Sequence, residues 1–235
     1  DDEAIRGTDP RDIDRAENRK IFGVLLKMLG IGQPLWEEGT TIEKAKRFAK
    51  RVGYPILVRP SYVLSGAAMN VVYEQDTLEY YLKEAAVISP HHPVVMSQFI
   101  TDAKEFEIDG VAKNGAPIVT AITEHIENAG VHSGDATIVL PPQKLYLETV
   151  RQAKQIMKKI VDALHVTGPF NIQFLAKENQ LKVIECNLRA SRSFPFVSKV
   201  TRCNFVDHAV REMLNSPIPI PDSAKAELDY VGVKT

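Results

Sequence analysis

A run of alternating polar and apolar residues, Glu105 to Ala112, pairs across the dipeptide Asn114-Gly115 with a second strand-like segment, Ile118 to Thr123. Exchange at period two marks strands with one covered face, and Asn-Gly accepts the positive φ values that a tight hairpin needs. An antiparallel hairpin is therefore predicted at the middle of the chain. After residue 93 the segments read as hairpins, whereas before it helices alternate with short strands. That change of character predicts an α+β protein of two lobes, with no internal repeat at a fixed period.

Within this frame residues 1–14, charged and broken by Gly7 and Pro10, read as a linker or the remnant of an upstream domain. The first lobe is predicted over 15–92 and the second over 93–215, and 216–235, with prolines at 217, 219 and 221, reads as an extended tail. Helical spacing of Ile21, Leu25, Met28 and Leu29 predicts a helix from an Asp14 cap to Gly30, and a second helix runs from Thr41 to Val52, stopped by Gly53. Tyr54 to Arg59 reads as a buried strand that delivers Arg59 to the loop Pro60 to Ala68, and Met69 to Tyr73 as its return. A helix over Asp76 to Ala86 and a strand over Pro93 to Phe99 follow. Later come a long helix over Gln143 to Leu164, a hairpin of Pro169 to Ala176 with Leu181 to Asn187, and a closing helix over Asp207 to Leu214.

Composition narrows the function classes. The 235 residues are long enough to bury a core without metal or disulfide staples. Lys and Arg number 29 against 30 Asp and Glu, so there is no global positive field to condense on a phosphate backbone, and nucleic acid is not an expected partner. The two cysteines, Cys186 and Cys203, lack zinc-ligand spacing and suit a reducing compartment. No run of 18 apolar residues occurs and the chain opens on Asp1-Asp2-Glu3, so a soluble intracellular protein without a membrane partner is expected.

The strongest chemical pattern is Val183-Ile184-Glu185-Cys186-Asn187-Leu188-Arg189. Alternation places Glu185, Asn187 and Arg189 on one face of a strand end, where a carboxylate, an amide and a guanidinium suit a divalent ion and the anion it neutralises. A solvated strand end is the bland alternative. With a three-residue turn at Glu178-Asn179-Gln180, Gln173 faces Glu185, and three hard oxygen donors converge: Gln173, Glu185 and Asn187. A turn of two or four residues would separate them.

Other features carry less. Gly130-Val131-His132-Ser133-Gly134-Asp135 brackets a His-Ser pair with glycines whose amides can face an anion, and His132 is as readily a structural histidine as a ligand contact. The small-residue loop Ser61 to Ala68 matches neither phosphate-binding glycine motif, and reads equally as a cover for phosphates or as an ordinary loop. Arg59 suits a phosphate contact or a surface ion pair. Glu105 and Glu107 face solvent by default, and Cys186 reads as a buried strand residue. His125 lacks a second histidine one turn away, so no zinc is expected there. A phosphoryl transfer to an anionic acceptor, which asks for position and charge neutralisation more than a nucleophile, fits this inventory.

Taken together, the stretches Asp14 to Arg19, Val58 to Gly66, Glu124 to Asp135 and Val183 to Lys199 resemble the ATP-grasp fold, and more narrowly the large subunit of carbamoyl-phosphate synthetase, in family order across residues 14–215. The wordings Arg59-Pro60-Ser61-Tyr62 and Gly130 to Asp135 resemble its C-terminal, carbamate-phosphorylating half. The resemblance implies two α/β lobes with antiparallel sheets and nucleotide bound between them. It implies an ATP-dependent ligase that turns carbamate into carbamoyl phosphate, with ATP and two Mg2+ or Mn2+ ions per site. Arg59 would contact a nucleotide phosphate, Gln98 and Ile100 would line the adenine and ribose pocket, and Glu105 would accept from the ribose hydroxyls. Gly130, Val131, His132 and Ser133 would line the nucleotide pocket, and Gln173, Glu185 and Asn187 would hold the ions. Arg189 would face the transferred group.

The implied partners are the bicarbonate-phosphorylating half and glutaminase region of the same synthetase, with a homodimer as a further option. The implied location is the cytoplasm, or alternatively the mitochondrial matrix. Two alternatives are a catalytically silent nucleotide-binding or regulatory module of the same assembly, and a biotin-dependent carboxylase, against which Ser191 to Lys199 speaks. Ala67 stands where bacterial relatives often carry arginine, and Thr201 to Asn204 where a Gly-Val turn is expected.

Overall fold

The computed structural model describes residues 6–39, 41–60, 69–88, 94–131, 135–222 and 228–235. The loop 61–68, His132 and Ser133 lie outside the described residues. The chain divides into two compact units, one of Asp1–Gln33 with Ala103–Thr235 and one of Pro34–Asp102. This differs from the division expected near residue 93. The strand after that point belongs to the smaller sheet, and the N-terminal helices pack with the later residues.

The smaller unit is built on a four-stranded sheet. Strands β1 (Trp36–Gly39), β2 (Ile56–Pro60), β3 (Asn70–Val72) and β4 (Val94–Gln98) pair antiparallel in the order β1-β4-β2-β3. Helices α3 (Ile42–Val52) and α4 (Gln75–Ile88) supply Ala45, Phe48, Leu78 and Leu82 to a core with Ile56, Val58, Val72 and Met96. The Thr41 side chain accepts from the Lys44 amide to cap α3, and Gly53 ends it at a φ of 79°, a conformation open to glycine.

The larger unit has a six-stranded antiparallel sheet. Its strands are β5 (Lys104–Lys113), β6 (Ala116–Asn128), β7 (Ile138–Leu140), β8 (Gly168–Lys177), β9 (Gln180–Asn187) and β10 (Gly232–Lys234), in the order β10-β7-β6-β5-β8-β9. The expected hairpin across Asn114-Gly115 is β5 and β6, closing through the pair Lys113 and Ala116. One face is apolar. Phe106, Ile108, Ile122, Phe170, Ile172, Phe174 and Cys186 pack there against α5 (Leu147–Ala163) and α2 (Arg19–Met28). The Phe106 and Phe174 rings stack with centroids 5.0 Å apart. The other face carries, at one end, a smaller core of Val111, Val119 and Ala121 beneath α6 (Phe194–Thr201) and α7 (Phe205–Met213).

Several expectations need correction. The helix predicted from Asp14 is two helices: α1 (Pro10–Glu17) begins inside the supposed linker, capped by Asp9 with proline in its first turn, and Asn18 in extended conformation caps α2. Thr8 exchanges hydrogen bonds with Thr167, so this segment is part of the packed unit. The long helix starts at Leu147 rather than Gln143, since the amides of Gln143 and Lys144 both donate to the Glu124 carboxylate. The tail returns as β10 along β7, with the Tyr230 hydroxyl donating to the Val200 carbonyl. Where a Gly-Val turn was expected, Arg202 adopts a φ of 54° and Asn204 caps α7.

Candidate active site

The second face of the larger sheet, beyond its small core, is polar. Two rows of side chains cross it in register. Thr123, Glu107, Gln173 and Glu185 are successive cross-strand partners in one row, and Ala121, Asp109, Asn171 and Asn187 in the next. Residues paired across antiparallel strands point to the same side, so the register gathers three carboxylates and three amides on one surface. Gln173, Glu185 and Asn187 are half-buried at the edge of this group, whereas Glu107, Asp109 and Asn171 are buried within it.

The expected pairing of Gln173 with Glu185 is present, by a different route. The turn holds two residues, Glu178 and Asn179, both at positive φ, and closes through the pair Lys177 and Gln180. Such a turn alone would put Gln173 and Glu185 on opposite faces. A bulge intervenes: Phe174 pairs with Val183, Gln173 with Glu185, and Ile184 is the extra residue. The Ile184 carbonyl receives a hydrogen bond from the Arg19 guanidinium, so the first residue of α2 holds the bulge. Asn187 Nδ2 donates to Glu185 Oε1 at 3.0 Å, which leaves the Asn187 carbonyl oxygen and the second Glu185 oxygen available to a ligand. Among the described residues no three His, Cys, Asp or Glu side chains form a cation-holding group, and this set is one carboxylate with two amides. Its hard oxygen donors are the kind Mg2+ takes, and they fit that ion chemically.

Glu105 and Glu107, read as solvent-facing by default, are buried at 7% and 5% exposure. Burial raises Glu105 to about 7, opposed by the charge of His125, assisted by Glu107 and opposed again by the Gly130 amide that hydrogen-bonds to it. Burial likewise raises Asp109 to about 6, with Glu107 repelling it further, while hydrogen bonds from Ser191, Ser193 and Asn171 hold it down. His125 lies 3.2 Å from Glu107 Oε1. Burial opposes its charged form, but the bond to Glu107 and the charges of Glu105, Glu107 and Glu127 raise it overall. The Asn171 amide bridges Glu107 Oε2 at 2.8 Å and Asp109 Oδ1 at 2.9 Å. At the far end of the first row the buried Thr123 hydroxyl has no hydrogen-bond partner.

Of the remaining predicted residues that are described, Gly130 meets Glu105 through its amide and the others lie on separate elements. Gly130 and Val131 follow the end of β6 and are exposed. Arg189 lies beyond β9, which ends at Asn187, so strand alternation does not place it with Glu185. It is exposed, and its guanidinium donates to the Ala190 carbonyl at 3.4 Å. In the smaller unit Arg59 is the fourth residue of β2, opposite Val95, and Gln98 ends β4 opposite Ile56 with its amide donating to the Leu35 carbonyl. Ile100 follows, half-buried. Residues that sequence reasoning left aside are Glu107, Asp109, His125, Asn171, Ser191 and Ser193. The signal for the acids was the spacing Glu105-x-Glu107-x-Asp109, which puts three carboxylates on one strand face.

Comparison with known proteins identifies the fold and the family. A solved biotin carboxylase from Campylobacter jejuni, described as a βγ-ATP complex, superposes with a TM-score of 0.82 over 97% of this chain and 52% of that one, at 16% identity, a likeness of fold. The fold is ATP-grasp. Residues 19–220 match the model of the carbamoyl-phosphate synthase L chain, ATP binding domain, and the chain belongs to that family. Among curated relatives, the multifunctional protein pyrABCN of Emericella nidulans is 56% identical over 98% of this chain. The mitochondrial arginine-specific carbamoyl phosphate synthase large chain of Neurospora crassa is 52% identical over the same share. The chain spans 10% of the first relative's length and 20% of the second's.

Proposed function

We propose that this domain transfers the γ-phosphoryl group of ATP to carbamate, giving carbamoyl phosphate and ADP. The observation that carries the reading is the convergence of Gln173, Glu185 and Asn187 at the edge of a buried acidic face. These three side chains would hold the divalent ions, which when bound neutralise phosphate charge and polarise the transferred group. The chain's own residues do the rest. Arg189 exchanges its weak bond to Ala190 for the acceptor anion or the transferred phosphoryl group. Glu105, raised to about 7 by burial, would accept from ribose hydroxyls, and Gly130 and Val131 would line the nucleotide, a role that the resemblance also implies for His132 and Ser133. On the smaller unit Arg59 takes a phosphate, and Gln98 and Ile100 contact the base and ribose. Transfer from one oxyanion to another needs alignment and electrostatic neutralisation rather than a covalent protein intermediate.

The wording around Arg59 and Gly130 supports carbamate over bicarbonate as acceptor. The length of the relatives supports a larger assembly, and the resemblance implies for it a bicarbonate-phosphorylating half and a glutaminase region, in cytoplasm or mitochondrial matrix. The test is reversal of the reaction by the protein as expressed: carbamoyl phosphate and MgADP should give ATP, read by a coupled dehydrogenase. No ATP formation, together with bicarbonate-dependent ATP hydrolysis, would reassign the domain to the other half. Neither activity, with nucleotide still bound, would make it a silent module.

A further inference from the structure

The segment Leu188 to Ser193 joins the ion-holding end of β9 to α6 and carries two exposed arginines, Arg189 and Arg192. Leu188 packs against the apolar core at the start of the segment and Ser193 is buried at its end. Between them one buried side chain ties the segment to the sheet. Asp109, 0% exposed on β5, accepts from Ser191 Oγ at 2.6 Å through Oδ1 and from Ser193 Oγ at 2.5 Å through Oδ2, and the two hydroxyls lie 2.7 Å apart. The carboxylate is itself fixed by Asn171, whose amide spans Asp109 and Glu107.

Helix α6 records the cost of this tie. Ser193 occupies its cap position, where a serine hydroxyl ordinarily accepts a first-turn amide, yet it makes no capping bond and turns to Asp109 instead. A local helix bond has been given up for a contact 84 residues away in sequence. The negative charge also lies next to the helix N-terminus, where the peptide dipoles favour it.

We infer that Asp109 is a positioning residue that acts through the hydroxyls of Ser191 and Ser193 to fix the path of the 188–193 segment, and so aims Arg189 at the reacting phosphoryl group. The role of Arg189 rests on the function proposed above, whereas the clamp itself is a property of the fold. A side chain held in productive geometry by a rigid supporting contact loses rate, not nucleotide affinity, when the support goes.

The experiment pairs kinetics with a measurement that does not depend on the reaction. Ser191→Ala/Ser193→Ala should lower kcat for phosphoryl transfer by about 10- to 100-fold, with KM for ATP within about twofold, and Ser193→Thr in a Ser191-intact chain should retain most of the rate. In an Arg189→Ala background the same double substitution should cost less than about twofold, because the support then has nothing to aim. Additive losses in the two backgrounds, or an unchanged kcat, would overturn the positioning role. Amide hydrogen exchange of 188–193 in the apo protein should rise when both hydroxyls are removed. Unchanged exchange would overturn the clamp. If the parent protein lacks phosphoryl transfer altogether, raised exchange still upholds the clamp while the functional reading, and with it the role of Arg189, fails.

Discussion

Gln173 stands directly opposite Glu185 because Ile184 is one residue more than the ladder needs. The two-residue turn sets β9 one step out of phase with the polar face of β8, and the bulge restores the phase two pairs before the strand ends. Val183 therefore joins the apolar core while Glu185, two residues on, faces the acids. In a regular strand residues at that spacing share a face.

Glu185→Gln should abolish phosphoryl transfer and spare the fold. The substitution keeps the volume and the bond with Asn187 while removing the only carboxylate among the three edge donors. A loss on the order of 10²–10³ in kcat is expected, with an unchanged thermal midpoint. Wild-type turnover at saturating magnesium would remove Glu185 from the ion site.

The acidic face predicts a pH dependence of stability. Glu105 and Asp109 hold their protons to about 7 and about 6 in the folded protein, above their ordinary values of 4.5 and 3.8. Between those limits the folded state binds more protons than the unfolded chain, so stability falls as pH rises. His125, also raised, acts in the same sense: its contribution is full below 6.5 and is lost as pH rises through the folded value. Urea unfolding midpoints should decline from pH 5 to pH 8. Glu105→Gln should reduce the total fall in unfolding free energy over this range by up to about 3 kcal/mol, the equivalent of the interval from 4.5 to about 7. A slope identical in the variant would refute the assignment to Glu105.

Much of this was legible beforehand, and the misses have physical causes. Alternation correctly put Glu185 and Asn187 on one face, because that inference needs only local spacing. The bulge was not legible, since a turn of three residues and a turn of two with a bulge give the same pairing of Gln173 with Glu185. Glu105 and Glu107 read as solvent-facing, and Asp109 beside them drew no reading, because alternation reports that two faces differ and says nothing of what covers each. Here Ser191 and Ser193, more than 80 positions away, come to lie on Asp109. Strands β1, β7 and β10, of three or four residues, were too short to show a period.

The turn at Glu178-Asn179 should yield stability. Glu178 sits at a φ of 51° and Asn179 at 61°, and only the second is a residue that tolerates this region well. Asn179 also accepts from the Thr149 hydroxyl on α5, so it should be left alone. Glu178→Asn should stabilise by about 0.5–1 kcal/mol, a rise of about 2 °C in Tm by calorimetry. A lowered Tm would show that Glu178 makes a compensating contact.

Gly110→Ala probes the sheet beneath the site. Gly110 is the direct partner of Phe170, and a Cβ there would lie 2.4 Å from Phe170 Cζ, 2.7 Å from its Cε1 and 3.0 Å from the Val119 carbonyl oxygen. The ring is fully buried in the apolar core, so β5 must shift or the ring must leave its rotamer, at about 1–3 kcal/mol. Phe170→Leu is itself destabilising, since it opens a cavity in the apolar core. It also removes both ring atoms that the new methyl would strike. The double substitution should therefore be less destabilised than the sum of the single ones, by about 1 kcal/mol in urea unfolding. Because Asp109 is the adjacent residue, the shift forced by Gly110→Ala alone should also lower phosphoryl-transfer kcat, and Phe170→Leu should restore part of it. Strict additivity in stability would place the strain at the Val119 carbonyl instead of the ring.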